Sequence, residues 1–504
     1  MQKFMQNMFS KQLFQSRIKS ANTQKSEGIL GYFVGPCLVY MIYYCVAGSY
    51  LTQFYTDVLG MAGIFLTLMP VISKIIDAIT NVIMGRIIDE TRTVQGKARP
   101  WILMSGGLMT AAGILLYTVP RANEIVQIVW VIVSYNLFFS FAFTIYNMSH
   151  NLMVPLSTRN TKQRDGLAVL TSAGINMIPG LLVTIIMPLL IANIGVGADA
   201  QGAWIRIMSL ISILAIPAVL LEYYFTKERV TEESINEEGV NTENVVPFKK
   251  QVKAALADKY WLMIMGFYIV YMILSYLSTN SMVYYCNWVL ADSVSGGAAK
   301  QVLVNMIGQA PLGIGIFVLW PIINKFGKKR VTQVGFTIAA IGSLIVLIGG
   351  KNMSIVLVGL VIKSIGAIPT YAMMAMLAEA LDHIDYSNGF RADGFSASVY
   401  SIIGTVTAGL TQSIILGGIN LFGYIVPSSA AESIAQPQTM QTFFTICFVG
   451  IPMVGYLLGA LLMSGYNVEK EMPQISAEII RRHKEEAEAC SKECEKKEMR
   501  DKKE

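Results

Sequence analysis

The sequence predicts an all-α membrane protein, and two observations carry that prediction. Of 504 residues, 54% are hydrophobic and only 14% charged, with a mean hydropathy of +0.51, a balance outside the range of soluble globular domains. Apolar stretches of the ~20 residues that cross a bilayer recur from Leu30 to Gly465, about twelve of them. Backbone amides in hydrocarbon must be satisfied within their own segment, so the stretches read as helices. Barrel strands are about half as long and alternate apolar with polar residues, which these stretches do not.

The elements follow in order. A tail, 1–27, spaces Phe4, Met5, Met8, Phe9, Leu13, Phe14 and Ile18 at helical intervals against Lys3, Lys11, Arg17 and Lys19, which suits a helix on the inner membrane surface or an unstructured tail. It lacks the continuous apolar core of a signal peptide. A first half, 28–225, holds spans expected at 30–56, 61–86, 99–119, 123–152, 166–194 and 203–225. A polar segment, 226–259, rich in Glu, Asn and Lys, separates it from a second half, 260–465, with spans at 260–286, 298–323, 329–349, 353–380, 393–420 and 439–465. The tail 466–504 mixes Glu and Lys at spacings that favour a solvated helix.

Six spans on either side of a polar loop are the arrangement of the major facilitator fold, whose two six-helix halves enclose a site at the midplane. Internal repetition supports it. "GRIIDETRTVQGKARPW", Gly85 to Trp101, and "PIINKFGKKRV", Pro321 to Val331, each run from a helix end through Asp or Asn to Gly and a cluster of Lys and Arg. Arg86, Arg92, Lys97 and Arg99, then Arg159, Lys162 and Arg164, then Lys325, Lys328, Lys329 and Arg330 fall in alternate loops, against Arg121, Lys300 and Lys351 in the others. Positive charge marks cytoplasmic loops, so both termini are expected in the cytoplasm. The net charge of +6 follows from that bias and calls for no nucleic-acid partner. Cys37, Cys45, Cys286 and Cys447 lie in spans, and Cys490 and Cys494 in the tail, where a metal site near His483 or a reduced, solvated helix are both open readings.

Ionisable residues inside spans are costly and mark function by default. In "DAITNVIMG", Asp77 follows Lys74 by three residues and precedes Asn81 by four, so all three share one helical face. That face can bind a small hard cation through oxygen atoms, or Lys74 and Asp77 can simply neutralise each other and fasten the helix to a neighbour. Lys363, ahead of Pro369, either meets an anionic substrate group or pairs with an acid such as Glu379. Asp89, Arg92 and Arg99, with Glu379, Asp382, Asp385 and Arg391, read as a cytoplasmic gate network, beside His383 and Asp393. No phosphate-cradling loop, metal cluster or nucleotide-binding domain is visible, which argues against a pump driven by ATP and against an enzyme.

"FYTDVLG", Phe54 to Gly60, "KIIDAITNVIMGRIIDETRTVQGKARPWIL", Lys74 to Leu103, and "AEALDHIDYSNGFRADG", Ala378 to Gly394, resemble the glycoside–pentoside–hexuronide:cation symporters, the melibiose permease family, over essentially the whole membrane domain. The resemblance implies Na⁺, Li⁺ or H⁺ binding by two helix-2 acids. Lys74 and Asp77 match the family's helix-2 pattern, while Asn81 and Val82 stand where a second Asp and a Pro are usual. The family's sugar-binding acids of helices 1 and 4 fall on Met41 and Asn147, its helix-5 Arg on Ser172 and its helix-11 Lys near Thr405. The charged contacts of melibiose-type members are thus mostly neutral in this chain. Tyr43, Tyr44, Tyr146, Asn147 and Asn151 can hydrogen-bond or stack a polyol ring, and Tyr at helical spacing also serves packing.

The expectation is a secondary transporter of a sugar, glycoside or hexuronide working by alternating access. It needs no cofactor, takes Na⁺ or H⁺ as coupling ion, and sits as a monomer in a bacterial plasma membrane. The alternatives are a cation-independent uniporter or exchanger, a lipid transporter, and a sensor that binds without transport.

Overall fold

A computed structural model of the chain describes residues 9, 11, 14–20, 23–46, 49–61, 64–91, 93–158, 161–229, 248–479 and 481–482. The described residues fold as a helical bundle. Its first half comprises α1 (Glu27–Val58), α2 (Ile64–Glu90), α3 (Arg99–Tyr117), α4 (Glu124–Val154), α5 (Gly166–Ile194) and α6 (Ala198–Tyr224). A short amphipathic helix, Phe248–Ala257, leads into the second half. That half comprises α7 (Lys259–Trp288), α8 (Val294–Phe326), α9 (Lys328–Gly349), α10 (Met353–Asn388), α11 (Asp393–Leu421) and α12 (Gln438–Gly465). Eleven of these are long and apolar enough to cross a membrane among the described residues, and the 33-residue α8 stands where the remaining expected span falls. Several helices outrun their apolar windows: α10 continues to Asn388, 36 residues in all, because a helix keeps closing its own hydrogen bonds after leaving the hydrocarbon.

Small residues set the closest helix crossings, as expected where lipid removes the hydrophobic drive and close backbone approach supplies the attraction. Gly31 and Gly35 of α1 face α6 so closely that a Cβ at Gly31 would lie 2.4 Å from the Phe225 carbonyl oxygen, and one at Gly35 would lie 2.8 Å from the Glu222 nitrogen. Pro369 falls in a 3₁₀ turn, Ile368–Ala372, which interrupts α10.

The repeated loop motif folds the same way in both halves. Gly96 and Gly327 adopt positive φ, 104° and 82°, the region that suits glycine, and each turns the chain into the next helix, α3 or α9. A carboxylate from beyond the sixth helix of the same half closes the turn. Glu228 accepts from the backbone N–H groups of Lys97, Ala98 and Arg99 at 2.9, 2.8 and 2.8 Å; Glu469 accepts from those of Lys328 and Lys329 at 2.7 and 3.4 Å. A carboxylate there satisfies donors that a helix start leaves unpaired and complements its dipole.

The N-terminal tail departs from expectation where it is described. Phe9 is buried against Met84, Ile88, Trp101 and Tyr223, and Ser16 donates to the Thr226 carbonyl at 2.8 Å. Residues 16–20 are not helical. The segment docks on the ends of α2, α3 and α6, because its apolar side chains find a protein surface to cover. Cys490, Cys494 and His483 lie outside the described residues.

Hydrogen bonds between the halves gather on the side away from the termini. Tyr424 donates to Asp57 Oδ1 at 3.0 Å, and the Thr56 and Tyr284 hydroxyls lie 3.3 Å apart. Gln412 donates to Thr52 at 3.1 Å, Asn420 to Thr67 at 3.2 Å and Gln301 to Tyr50 at 3.5 Å.

Candidate functional site

On α2 the i, i+3 spacing brings Lys74 Nζ to 3.4 Å from Asp77 Oδ2. The other carboxylate oxygen, Oδ1, accepts from the Thr144 hydroxyl of α4 at 2.8 Å. Both side chains of the pair are largely buried, 19% and 14% exposed, so each charge depends on the other. The Lys74 stem runs along the seam between the halves: a Cβ on Gly409 of α11 would lie 2.9 Å from Lys74 Cγ. Asn81, one turn further, is half-buried and makes no hydrogen bond among the described residues. Asp77 and Thr144 thus set oxygen atoms side by side, with an ammonium already beside the carboxylate.

A second cluster is neutral. Asn147 Oδ1 accepts from Tyr40 of α1 at 2.6 Å and from the Asn151 amide at 3.2 Å. The Asn147 NH₂ group and the Asn151 carbonyl then stand as donor and acceptor side by side, as sugar hydroxyls require. Tyr43 stacks on Phe143, with centroids 3.9 Å apart and planes 18° from parallel. Tyr44 and Phe139 meet Tyr43 edge-on, with centroids 5.5 and 5.9 Å away, and an aromatic face suits the apolar face of a sugar ring.

The remaining expected residues are distributed as follows. Met41 packs half-buried against the core of the first half. Ser172 is exposed on α5 immediately before a π-helical turn, Ala173–Met177. Thr405 is half-buried on α11. Lys363 donates to the Ser278 hydroxyl at 3.1 Å, with its ammonium 5.2 Å from the Phe448 ring centroid. The alternative Lys363–Glu379 pair is not what forms, because Glu379 is held by Lys328 and by the Tyr466 hydroxyl at 2.8 Å.

The described residues expected at the gate bond as follows. Arg99 is buried, donating to Gln95 Oε1 at 3.0 Å and the Tyr223 carbonyl at 2.7 Å, over the Tyr223 ring; this fastens α3 to α6. Asp382 pairs with Arg391, and Asp385 is buried, its backbone carbonyl accepting from Arg482 at 3.2 Å. His383 bonds Asp258 of the segment before α7. The Asp89 side chain and Arg92 lie outside the described residues.

Sequence reasoning missed two polar clusters. One is Asp57 with Tyr424 and Tyr284 on the closed side. The other is His150 with Glu222, Tyr146 and Tyr40 between α4, α6 and α1. The signal for both was available: an ionisable residue in an apolar run.

The sequence profile of the family described as MFS/sugar transport protein matches residues 31–470. Among similar proteins, the isoprimeverose transporter of Lactiplantibacillus pentosus is 23% identical over 88% of this chain and 89% of its own length. The putative glycoside/cation symporter YagG of Escherichia coli (strain K12) is 25% identical over 87% of this chain and 92% of its own. Among solved structures, a bacterial homologue of the human lysosomal transporter Spinster, in an inward-facing and unoccupied conformation, aligns with a TM-score of 0.61 at 11% identity, over 88% of this chain and 98% of that one. The xylose transporter XylE from E. coli, in a partially occluded inward open conformation, aligns at 0.55 and 12%, over 88% and 97%; these two likenesses speak for the fold. With the profile spanning nearly the whole membrane domain, the chain belongs to the MFS/sugar transport protein family and is a multi-pass membrane transporter of small solutes.

Proposed function

We propose that this carrier takes up a neutral sugar or glycoside together with a cation, by alternating access, as a monomer in a bacterial plasma membrane with both termini in the cytoplasm. The observation that carries the reading is the uncharged array of Asn147, Asn151 and Tyr40 beside the Tyr43–Phe143 stack. It presents hydrogen-bond donors, acceptors and an aromatic face without a fixed charge, which fits a polyol better than a hexuronide. The names of the relatives, an isoprimeverose transporter and a putative glycoside/cation symporter, favour the same substrate class. With the termini inside, the bonded side is the outer one, which supports an inward-facing state.

Lys74 already neutralises Asp77, so the pair acts as an internal ion pair at the seam with α11, where movement of one half past the other must disturb it. The test is uptake of radiolabelled isoprimeverose and of methyl β-glucoside into proteoliposomes, with counterflow as the gradient-free control. Saturable counterflow of either sugar, lost in Asn147→Ala, is expected. Binding of acyl-chain lipids with no sugar counterflow would overturn the reading.

A further inference from the structure

Between α1, α4 and α6 lies a titratable cluster that the sugar array and the Lys74–Asp77 pair leave unused. His150 Nδ1 is 2.7 Å from Glu222 Oε1, with side chains 0% and 1% exposed. Tyr146 donates to the other carboxylate oxygen at 2.6 Å, and its ring stacks on the imidazole at 5.6 Å and 13°. The edge of Tyr40 closes a further side of the ring, at 6.2 Å. His150 Nε2 is buried and has no hydrogen-bond partner among the described residues.

Charge accounting shows what that nitrogen does. Tyr146 donates to Glu222, and with that carboxyl ionised the imidazole donates to it from Nδ1. With a neutral imidazole the cluster carries one net negative charge and a bare lone pair on Nε2. One proton on Nε2 converts it to an imidazolium–carboxylate pair of zero net charge. A single uncompensated charge in a dry site is strongly disfavoured, whereas a hydrogen-bonded pair is tolerated.

The groups around the cluster have partners of their own. From α1 come Tyr40, Tyr32 and Glu27, from α4 Tyr146, from the start of α3 Arg99, and from beyond α6 Arg229. Arg229 is committed to Glu27 through two bonds of 3.0 and 2.8 Å. Arg99 is committed to Gln95 and the Tyr223 carbonyl.

We propose that the His150–Glu222 pair is the proton-binding site of this carrier, and that Tyr40 ties its occupancy to the sugar array. Tyr40 touches both: its ring lies against His150, and its hydroxyl donates to Asn147 Oδ1. A proton arrives at Nε2 when water reaches the cluster from one side and leaves when water reaches it from the other, with Glu222 holding the imidazolium in between. Histidine suits the role because one ring nitrogen can take up and release a proton while the other stays bonded to its carboxylate. The coupling half of the proposal rests on the sugar reading above; the proton site itself does not.

Two arms test it on the full chain. In nanodiscs, infrared difference spectra between about pH 5 and 8 report buried carboxyl and imidazole protonation with no sugar present. A pH-dependent band is expected in the wild type and lost in Glu222→Gln; His150→Gln, whose amide can still bond Glu222, serves the same comparison should Glu222→Gln fold poorly. Identical spectra in the wild type and a folded variant overturn the proposal. In proteoliposomes, an inward-directed pH gradient without Na⁺ should drive isoprimeverose accumulation, lost in both variants. Accumulation that follows Na⁺ at fixed pH overturns the coupling while leaving the carrier reading intact. Absence of any sugar flux refutes the substrate class alone, and the infrared arm then decides the proton site.

Discussion

Replacing Tyr424 with Phe should open the side of the carrier on which the two halves are bonded together. The Tyr424 hydroxyl donates to Asp57 Oδ1 at 3.0 Å, across the two halves, and Asp57 is 1% exposed. Its Oδ2 has no partner among the described residues, and Oδ1 keeps the Thr56 hydroxyl at 2.9 Å once Tyr424 is gone. The hydroxyl also accepts from the Trp288 indole at 3.0 Å, but Trp288 and Tyr424 belong to the same half, so that loss weighs on both conformations and cancels. What remains is one hydrogen bond to a carboxyl present only in the closed state, about 1.5 kcal/mol. Such a change multiplies the outward-open population roughly tenfold. The aromatic contacts of residue 424 with Tyr284, Trp288 and Phe444 survive in Phe. Labelling of Thr67→Cys, on the same seam, by a membrane-impermeant maleimide reads the population in a background with the six native cysteines replaced. Equal labelling rates with Tyr and Phe at position 424 would refute the latch.

Two further outcomes follow from bonds described above. Lys74→Met and Asp77→Asn should each lower the melting temperature, and the double variant less than their sum, with a coupling of about 1 kcal/mol for a mostly buried pair at 3.4 Å; strict additivity in thermal unfolding would deny the pairing. Glu228→Gln should cost about 1–3 kcal/mol, since a carboxylate accepting three backbone N–H groups is lost, and Glu469→Gln less, with two such bonds; the order of the two melting shifts checks the assignment.

The span count, the two halves and the loop repeat were legible because hydropathy over ~20 residues and a shared Gly with its basic cluster are local signals. Lys74 and Asp77 were legible for the same reason, three residues apart on one helix. What was not legible depends on pairing between distant segments. Glu222 reads as an ordinary acid near a span end until α6 crosses α1 at Gly31 and Gly35 and carries it to His150, 72 residues away. Lys363 could be assigned an acid from sequence proximity, yet the 3₁₀ turn at Pro369 intervenes and Lys328 claims Glu379. Asp57 and Tyr424, separated by 367 residues, meet only because the halves dock. The docking of Phe9 on α2, α3 and α6 likewise depends on a surface that exists only after folding.

The two glutamate clasps have a bearing on how the polypeptide is built. Glu228 fastens the last residues of the first half to the start of its own third helix, and Glu469 does the same in the second. Each half therefore ties its last residues back onto its own third helix, with no group borrowed from the other half. A ribosome that has released only the first 229 residues has already delivered every group the first clasp requires, so that half can mature in the membrane while the second is still being synthesised. Two separate polypeptides divided within 230–247 carry all the groups of both clasps.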